Sequence, residues 1–313
     1  MFIKKNKLTG RLIVNLLGLR LKFRLPVNKN KMDEKFANLL YELADPRTLQ
    51  NVKLPKVLNL YDTMYELIDS DKSLARFGDG EFKIMMGESI NFQQYDAKLA
   101  KRLCEVLTNK FDNLMVGIPD VFGFCPSDYF RRVLISSRDF LYKYMNFEKS
   151  YGDAFLTRQS KFSSETKGND YYNNLKKLWN DKDIVIVEGA GSRLGIGNDL
   201  FSNTKSIRRI ICPIKDAFSK YDEIFNACKN AKAELYIIAL GPTATILAYD
   251  LSQLGFRALD VGHVDTMYEW FLRKATKSIP IEGKIVFNEE RNKSHIVPCK
   301  DKKYYEQIIA TIE

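Results

Sequence analysis

From Val57 onward the chain alternates between two spacings of apolar residues. Val57, Leu58, Leu60, Tyr61, Met64, Tyr65, Leu67 and Ile68 recur every three or four positions, which predicts an amphipathic helix. Ser73–Phe77 then reads as a strand, Glu81–Met86 as the start of a helix and Ala97–Asn109 as a second helix. Leu114–Ile118 is a short apolar strand stopped by Pro119-Asp120. Phe130–Met145 has a helical stripe, and its Arg131, Arg132, Arg138 and Lys143 read as a solvated face. Asp153–Arg158 is predicted as a strand, followed by a polar loop to Asn169 and a helix over Tyr171–Trp179.

The second half is denser. Asp183–Glu188 is a continuous β-branched run, as expected of a strand buried on both faces. Ile207–Cys212, Leu235–Leu240 and Ala258–Val261 are of the same kind, separated by helical patterns at Ala217–Lys229 and Thr243–Gly255. Strands alternating with helices predict an α/β fold, a Rossmann-like, mostly parallel sheet with helices on both faces. Three segments follow: a basic N-terminal arm (1–31), one Rossmann-like domain (32–290) and a C-terminal appendage (291–313).

Composition changes this picture in one place. The net charge of the 313 residues is +10, yet nine cations fall in residues 1–31, ahead of the first acid at Asp33. The remainder is therefore nearly neutral, which argues against a nucleic-acid binder, whose basic footprint spreads over the folded domain. Within the arm, Leu12–Leu19 is an apolar run flanked by cations and too short to span a bilayer. It reads either as an interfacial segment held to anionic lipid or as an N-terminal helix docked on its own domain or a second subunit. The five cysteines include no Cys-x-x-Cys, so neither a zinc site nor a disulfide framework is indicated, and a reducing, cytoplasmic setting is expected.

Candidate chemistry gathers at four strand ends, where ligands bind in such sheets. The first carries Arg76, Gly78, Asp79 and Glu81. Two acids separated by Gly80 would share a small volume if the backbone turns tightly there, which suits Mn²⁺ or Mg²⁺; the alternative is an ordinary turn. The second is the glycine-rich stretch after Val187, with Ser192, Arg193, Gly195, Gly197, Asn198 and Asp199. Its backbone N–H groups and its arginine suit a pyrophosphate, although it matches neither the dinucleotide nor the nucleotide-triphosphate glycine motif. The third, Gly241-Pro242-Thr243, precedes a helix, with Thr243 as the expected N-cap and the helix start as an anion site. The fourth places His263, one of two histidines, beside Asp260 and Asp265; His263 reads as a metal or phosphate contact, or as a structural residue. His295 reads as a surface residue. With no Gly-x-Ser-x-Gly elbow and no cysteine in a nucleophile setting, covalent hydrolysis is disfavoured.

Ser73–Glu81 (SLARFGDGE), Gly117–Asp120, Val187–Phe201 (VEGAGSRLGIGNDLF), Ile210–Tyr221, Leu240–Ser252 and Leu259–Phe271 occur in one collinear order. Together they resemble the GT-D family of bacterial glycosyltransferases over residues 60 to 290. The resemblance implies a metal-dependent hexosyltransferase that uses a UDP-sugar, typically UDP-glucose, in surface glycoprotein or cell-surface polysaccharide synthesis. The family's Asp-x-Glu signature falls on Asp79 and Glu81, which makes them the implied metal and diphosphate site. By the same analogy Ser192–Asp199, Lys215, Gly241–Thr243 and His263 would surround the nucleotide. Asp265 is the carboxylate read as general base. Implied partners are a UDP-sugar, a glycan acceptor on protein or on a lipid carrier, an anionic membrane for residues 1–31 and a second copy of the chain. Two other classes stay open: a nucleotide-dependent phospho- or sugar-phosphate transferase, and a non-catalytic nucleotide-sugar-binding assembly subunit.

Overall fold

The structure, a computed structural model, describes the backbone of residues 2–6, 11–16 and 19–24, and all of residues 55–108, 111–120, 143–285 and 298–313. The first three segments are strands β1 (Phe2–Asn6), β2 (Arg11–Leu16) and β3 (Leu19–Arg24), paired antiparallel in that order with Leu12 opposite Phe23. The docked-helix reading of Leu12–Leu19 is thereby corrected. Leu19, Leu21 and Phe23 alternate with Arg20, Lys22 and Arg24, which is the two-residue period of a strand. The helix expected over Phe130–Met145, and His295, lie outside the described residues apart from the helix's last three positions.

The main body follows in chain order. It begins with β4 (Lys56–Val57), α1 (Leu60–Ile68), β5 (Ser73–Arg76), α2 (Asp79–Met85), α3 (Ala97–Leu107), β6 (Leu114–Ile118) and β7 (Ser150–Asp153). It continues through α4 (Glu165–Lys176), β8 (Asp183–Gly189), β9 (Ser206–Cys212), α5 (Tyr221–Ala231), β10 (Leu235–Ala239), α6 (Pro242–Gln253), β11 (Arg257–Asp260), α7 (Val264–Leu272), α8 (Lys302–Glu306) and β12 (Ile308–Thr311). Nine strands form one sheet in the order β12-β9-β8-β10-β11-β5-β6-β7-β4, every pair parallel. The Rossmann-like, doubly covered sheet read from sequence is present.

The alternation along β8 and β10 shows why this sequence makes a two-faced sheet. Ile184, Ile186, Leu235 and Ile237 enter one core with Met64, Leu67, Tyr171 and Leu175 of α1 and α4. Val185, Val187, Tyr236 and Ile238 enter the other, with Leu99, Leu103, Ile224 and Leu247 of α3, α5 and α6. Each strand side chain is removed from water on its own face, contributing roughly 1.5–3 kcal/mol apiece.

Three elements differ from the sequence reading. Asp153–Arg158 is not a strand; β7 ends at Asp153, whose Oδ1 accepts the Phe155 N–H at 2.7 Å and opens a 3₁₀ turn over Ala154–Thr157. The polar loop before Asn169 is helical from Glu165, because the Ser164 hydroxyl caps it by accepting the Lys167 N–H at 3.2 Å. The last residues, read as an appendage, supply β12, which pairs with β9 at the sheet edge.

Candidate active site

In chain order β8 leads to β9 on one side and then to β10 on the other, so the sheet has a switch point between the carboxyl ends of β8 and β10. A cleft of about 1120 Å³ opens there and runs across the ends of β11, β5 and β6. Of the residues singled out from sequence, Arg76, Gly78, Asp79, Glu81, Ser192, Gly241, His263 and Asp265 line it.

The end of β5 differs in detail from the expected tight turn. Gly80 sits in the first turn of α2, so Asp79 and Glu81 occupy the first and third helical positions. Glu81 Oε2 accepts the Gly78 N–H at 2.6 Å and thus satisfies a donor at the helix start. Burial, then the charges of Asp260 and Asp79, push the Glu81 carboxyl from 4.5 up to about 7, against the backbone N–H groups that favour its anion. Lys83 Nζ lies 3.6 Å from Asp79 Oδ2, one helical turn away.

Arg76 is a brace. Its Nη2 donates to Asp260 Oδ1 at 2.9 Å, its Nε to the Asp260 carbonyl at 2.7 Å and its Nη1 to the Ala154 carbonyl at 3.1 Å, tying β5 to β11 and to the turn after β7. Gly262, at φ 46°, permits this, because a Cβ there would stand 2.2 Å from Arg76 Nη2. Burial raises the Asp260 carboxyl above its ordinary range despite Arg76.

The end of β11 carries a second acid pair in different company. His263 is the N-cap residue of α7, and Asp265 lies in the first turn. Asp265 Oδ1 accepts the Gly195 N–H at 2.7 Å and Asn198 Nδ2 at 2.8 Å, while Oδ2 accepts Lys284 Nζ at 2.6 Å. Asn198 Nδ2 and Lys284 Nζ also reach Glu269 Oε1, at 2.8 and 3.3 Å. Burial would raise Glu269, but Asn198, Lys284 and Arg273 outweigh it and hold its carboxyl below the usual range. Both oxygens of Asp265 are occupied by donors, so taking a proton from an acceptor would cost it the bond to Lys284. The geometry suits a positioning residue for the glycine-rich loop better than the general base read from sequence.

That loop is held from below as well. Glu188 Oε1 pairs with Arg209 Nη1 at 2.5 Å, both fully buried, and Glu188 Oε2 accepts the Leu194 N–H at 2.7 Å while Arg209 Nη2 donates to the Leu194 carbonyl at 2.9 Å. Gly191, Gly195 and Gly197 all have positive φ, and so does Arg193, at 52°. Arg193 turns away from the cleft and donates to the Gly283 carbonyl at 2.6 Å. Asn198, Gly195 and Gly197 do not line the cleft. Asp199 faces outward, paired with Lys176 Nζ at 2.8 Å and with the Tyr268 hydroxyl at 2.5 Å. Lys215 is exposed beside the cleft-lining Pro213 and Ile214. At the third strand end the N-cap of α6 is Gly241, with Pro242 at the first helical position; Thr243 is fully buried, which corrects its assignment as the cap. The start of α6 nevertheless opens on the cleft through Gly241.

Two walls were not legible as site residues. Phe92, in the loop after α2, packs over Gly241, where a Cβ would come within 2.5 Å of its ring. This loop is latched by Asp216 Oδ1, which accepts the Gln94 N–H at 2.6 Å. Opposite, Lys277–Pro280 and Ile285 line the cleft, and the Ile285 N–H donates to the Gly191 carbonyl at 3.0 Å. Lys284 stands in the mixed stretch Ile281-Glu282-Gly283-Lys284-Ile285, which gives no local signal, yet the structure buries it to 8 % exposure.

No group of three or more His, Cys, Asp or Glu side chains able to hold a metal ion is found among the described residues. Asp79 and Glu81 are two carboxylates opening on one cleft, with Glu81 pushed toward its neutral form by burial first and by neighbouring acids second. Magnesium and manganese sites commonly take only one or two carboxylates from the protein and complete their shell with phosphate and water, so the pair fits such an ion.

The model of the family described as "Glycosyltransferase GT-D fold" matches residues 74–289. A Streptococcus gordonii protein named "Probable glycosyl transferase Gly" is 37% identical over 86% of this chain, and the Streptococcus pneumoniae serotype 4 "Glycosyltransferase GlyD" is 35% identical over 82%. The chain spans only 40% and 32% of those two proteins. A solved structure described as "The highly conserved domain of unknown function 1792 has a distinct glycosyltransferase fold" superposes with a TM-score of 0.77 at 36% identity, covering 90% of this chain and all of that one. Another, "A New Glycosyltransferase (DUF1792) from Streptococcus sanguinis", gives 0.74 at 38% identity over 83% of this chain and all of that one. Family match, relatives and superpositions agree with the parallel sheet: the chain belongs to the GT-D glycosyltransferase-fold family.

Proposed function

We propose that this domain transfers a hexose, glucose in the first instance, from a UDP-sugar to a hydroxyl of a glycan acceptor. The observation that carries the reading is the acid pair Asp79 and Glu81, which opens on a cleft whose other end is lined by glycine backbone and a helix start. In the proposed arrangement the nucleotide lies at the switch point between β8 and β10. Gly189 and Gly241 let backbone approach its diphosphate, the start of α6 favours the negative charge, and Phe92 walls that end. Asp79 and Glu81 would hold a divalent cation, whose charge would offset that of the departing diphosphate. Arg76 pairs with Asp260 beneath them. In the step itself, the bond from the sugar C1 to the β-phosphate oxygen breaks with its electron pair leaving on UDP. A bond from the acceptor oxygen to C1 forms, and a proton is released. Asp265, Asn198 and Lys284 fix the glycine-rich loop that borders the donor.

The test is UDP release from a panel of UDP-sugars in Mn²⁺ by wild type and by Glu81→Ala. Release by wild type and its loss in the variant are expected. Equal turnover by the two proteins would sink the assigned site, and tight UDP binding without turnover on any acceptor would replace the enzyme by a nucleotide-sugar-binding subunit.

For residues 1–31 we propose contact with an anionic membrane surface through the cations that flank and alternate with the apolar positions. No helix among the described residues is long and apolar enough to cross a membrane. Co-sedimentation with phosphatidylserine vesicles checks the contact; equal binding by the chain lacking residues 1–30 removes it.

A further inference from the structure

We infer that the end of the cleft beyond Asp79 and Glu81, at the turn after β7, is the acceptor subsite, with Phe155 as the platform for an acceptor sugar ring. This rests on the glycosyl-transfer reading and assigns its second substrate a place.

Position gives the first argument. Neighbouring strands lie about 4.8 Å apart, so β5 stands about 12 Å from the switch point and β7 about 22 Å from it. A donor whose diphosphate extends from the switch-point glycines toward Asp79 and Glu81 fills the nearer half. The cleft continues past it to Pro119, Ala154, Phe155 and Arg158, at the ends of β6 and β7.

Chemistry gives the second. The switch-point end is lined by glycines and a helix start, the equipment for phosphate. The β7 end is lined by an aromatic residue, Phe155, and a cationic one, Arg158. A pyranose has an apolar C–H face that packs on an aromatic ring and hydroxyls that accept from a cation, so this wall suits a sugar rather than a second phosphate.

Rigidity gives the third. Ala154, Leu156 and Thr157 pack inward, whereas Phe155 is only partly buried and lines the cleft. Asp153 Oδ1 fixes the Phe155 N–H at 2.7 Å, and the Arg158 N–H donates to the Phe155 carbonyl at 2.9 Å. The Ala154 carbonyl accepts from Arg76 at 3.1 Å, so one guanidinium registers the turn against Asp260 and the end of β5. A platform held in this way keeps a constant distance to the acid pair, as an acceptor hydroxyl requires.

The experiment measures saturation transfer from the full chain, with UDP and Mn²⁺ present, to methyl β-glucoside, methyl β-galactoside and methyl N-acetyl-β-glucosaminide. Wild type, Phe155→Leu and Phe155→Tyr are compared, with UDP affinity by calorimetry on each. At least one glycoside is expected to receive saturation from wild type, to lose about fivefold or more in Phe155→Leu and to recover in Phe155→Tyr. UDP affinity should stay within about twofold throughout. Absence of saturation with every glycoside on wild type, or a signal unchanged in Phe155→Leu, overturns the subsite. A parallel loss of UDP affinity overturns it too, by placing Phe155 on the nucleotide. If wild type neither binds UDP nor releases it from any UDP-sugar, the glycosyl-transfer reading fails. If UDP turns over while the glycoside signal ignores Phe155, only the subsite fails.

Discussion

Two pairs of acids follow adjacent strand ends, Asp79 and Glu81 after β5 and Asp265 and Glu269 after β11, and their surroundings differ. Asp265 and Glu269 share Lys284 and Asn198, and Glu269 also has Arg273, so their charge is spent inside the protein. Asp79 and Glu81 have Lys83 near one oxygen, a backbone N–H on another and the charge of Asp260 behind them. In the sequence Asp79, Glu81 and Asp265 all read as candidate catalytic carboxylates. Placement separates them: Lys284 and Asn198 hold Asp265 and Glu269 beside the glycine-rich loop, whereas Asp79 and Glu81 both open on the cleft.

The largest effect should follow from breaking the pair that opens on the cleft. Asp79→Asn and Glu81→Gln keep the side-chain shape and remove one charge each. We expect UDP release to fall about 10³-fold for either variant, with a melting temperature equal to wild type or higher, because each change relieves repulsion. Loss of activity together with a collapse in melting temperature would mean that the pair supports the fold and not the reaction.

This contrast also marks what the sequence could disclose. The β-branched runs of β8, β9 and β10 announced themselves because burial on both faces demands them. The acid pair and Gly241 were readable because each concerns neighbours in sequence. The partners of those acids were not. Lys284 meets Asp265 from 19 residues away, Asp216 latches Gln94 from 122 residues away, and Arg209 supports Leu194 from the next strand. None of these pairs leaves a periodic trace, so Asp265 looked as available for catalysis as Asp79.

Next in size is the pair beside the glycine-rich loop. Lys284→Met leaves Asp265 and Glu269 buried without their shared cation, which should cost about 3 kcal/mol in thermal or denaturant unfolding. Adding Asp265→Asn to Lys284→Met should recover part of that loss, since the uncompensated charge is what destabilises. If the double variant is as unstable as the sum of the single ones, Lys284 acts by packing alone.

Acidity gives a finer test of the same difference. In the unfolded chain Glu81 ionises near 4.5, whereas in the folded protein it holds its proton to about 7. Between those values the folded state binds more protons than the unfolded state, so stability is lost as pH rises through the window. The full loss is on the order of 3 kcal/mol. Wild type should therefore lose more melting temperature from pH 5 to pH 8 than Glu81→Gln does, and Mn²⁺ should restore part of it at pH 8. Parallel behaviour of the two proteins would show that Glu81 is already compensated.

The smallest effect is expected at Asp199, which lies in the glycine-rich motif but outside the cleft. Its side chain is 62 % exposed, and it pairs with Lys176 Nζ and the Tyr268 hydroxyl on the outer face of α4 and α7. With Asp199 itself largely solvated, the pair contributes about 0–1 kcal/mol, although the Lys176 side chain is only 14 % exposed. Asp199→Asn should leave UDP release within about twofold of wild type and shift stability by less than about 1 kcal/mol. Asn198, one residue earlier, should behave otherwise: Asn198→Ala removes the amide shared by Asp265 and Glu269, and the loop it holds borders the donor. A loss at Asp199 as large as that at Asn198 would mean that sequence position in the motif, and not the direction each side chain takes, decides which residues the ligand meets.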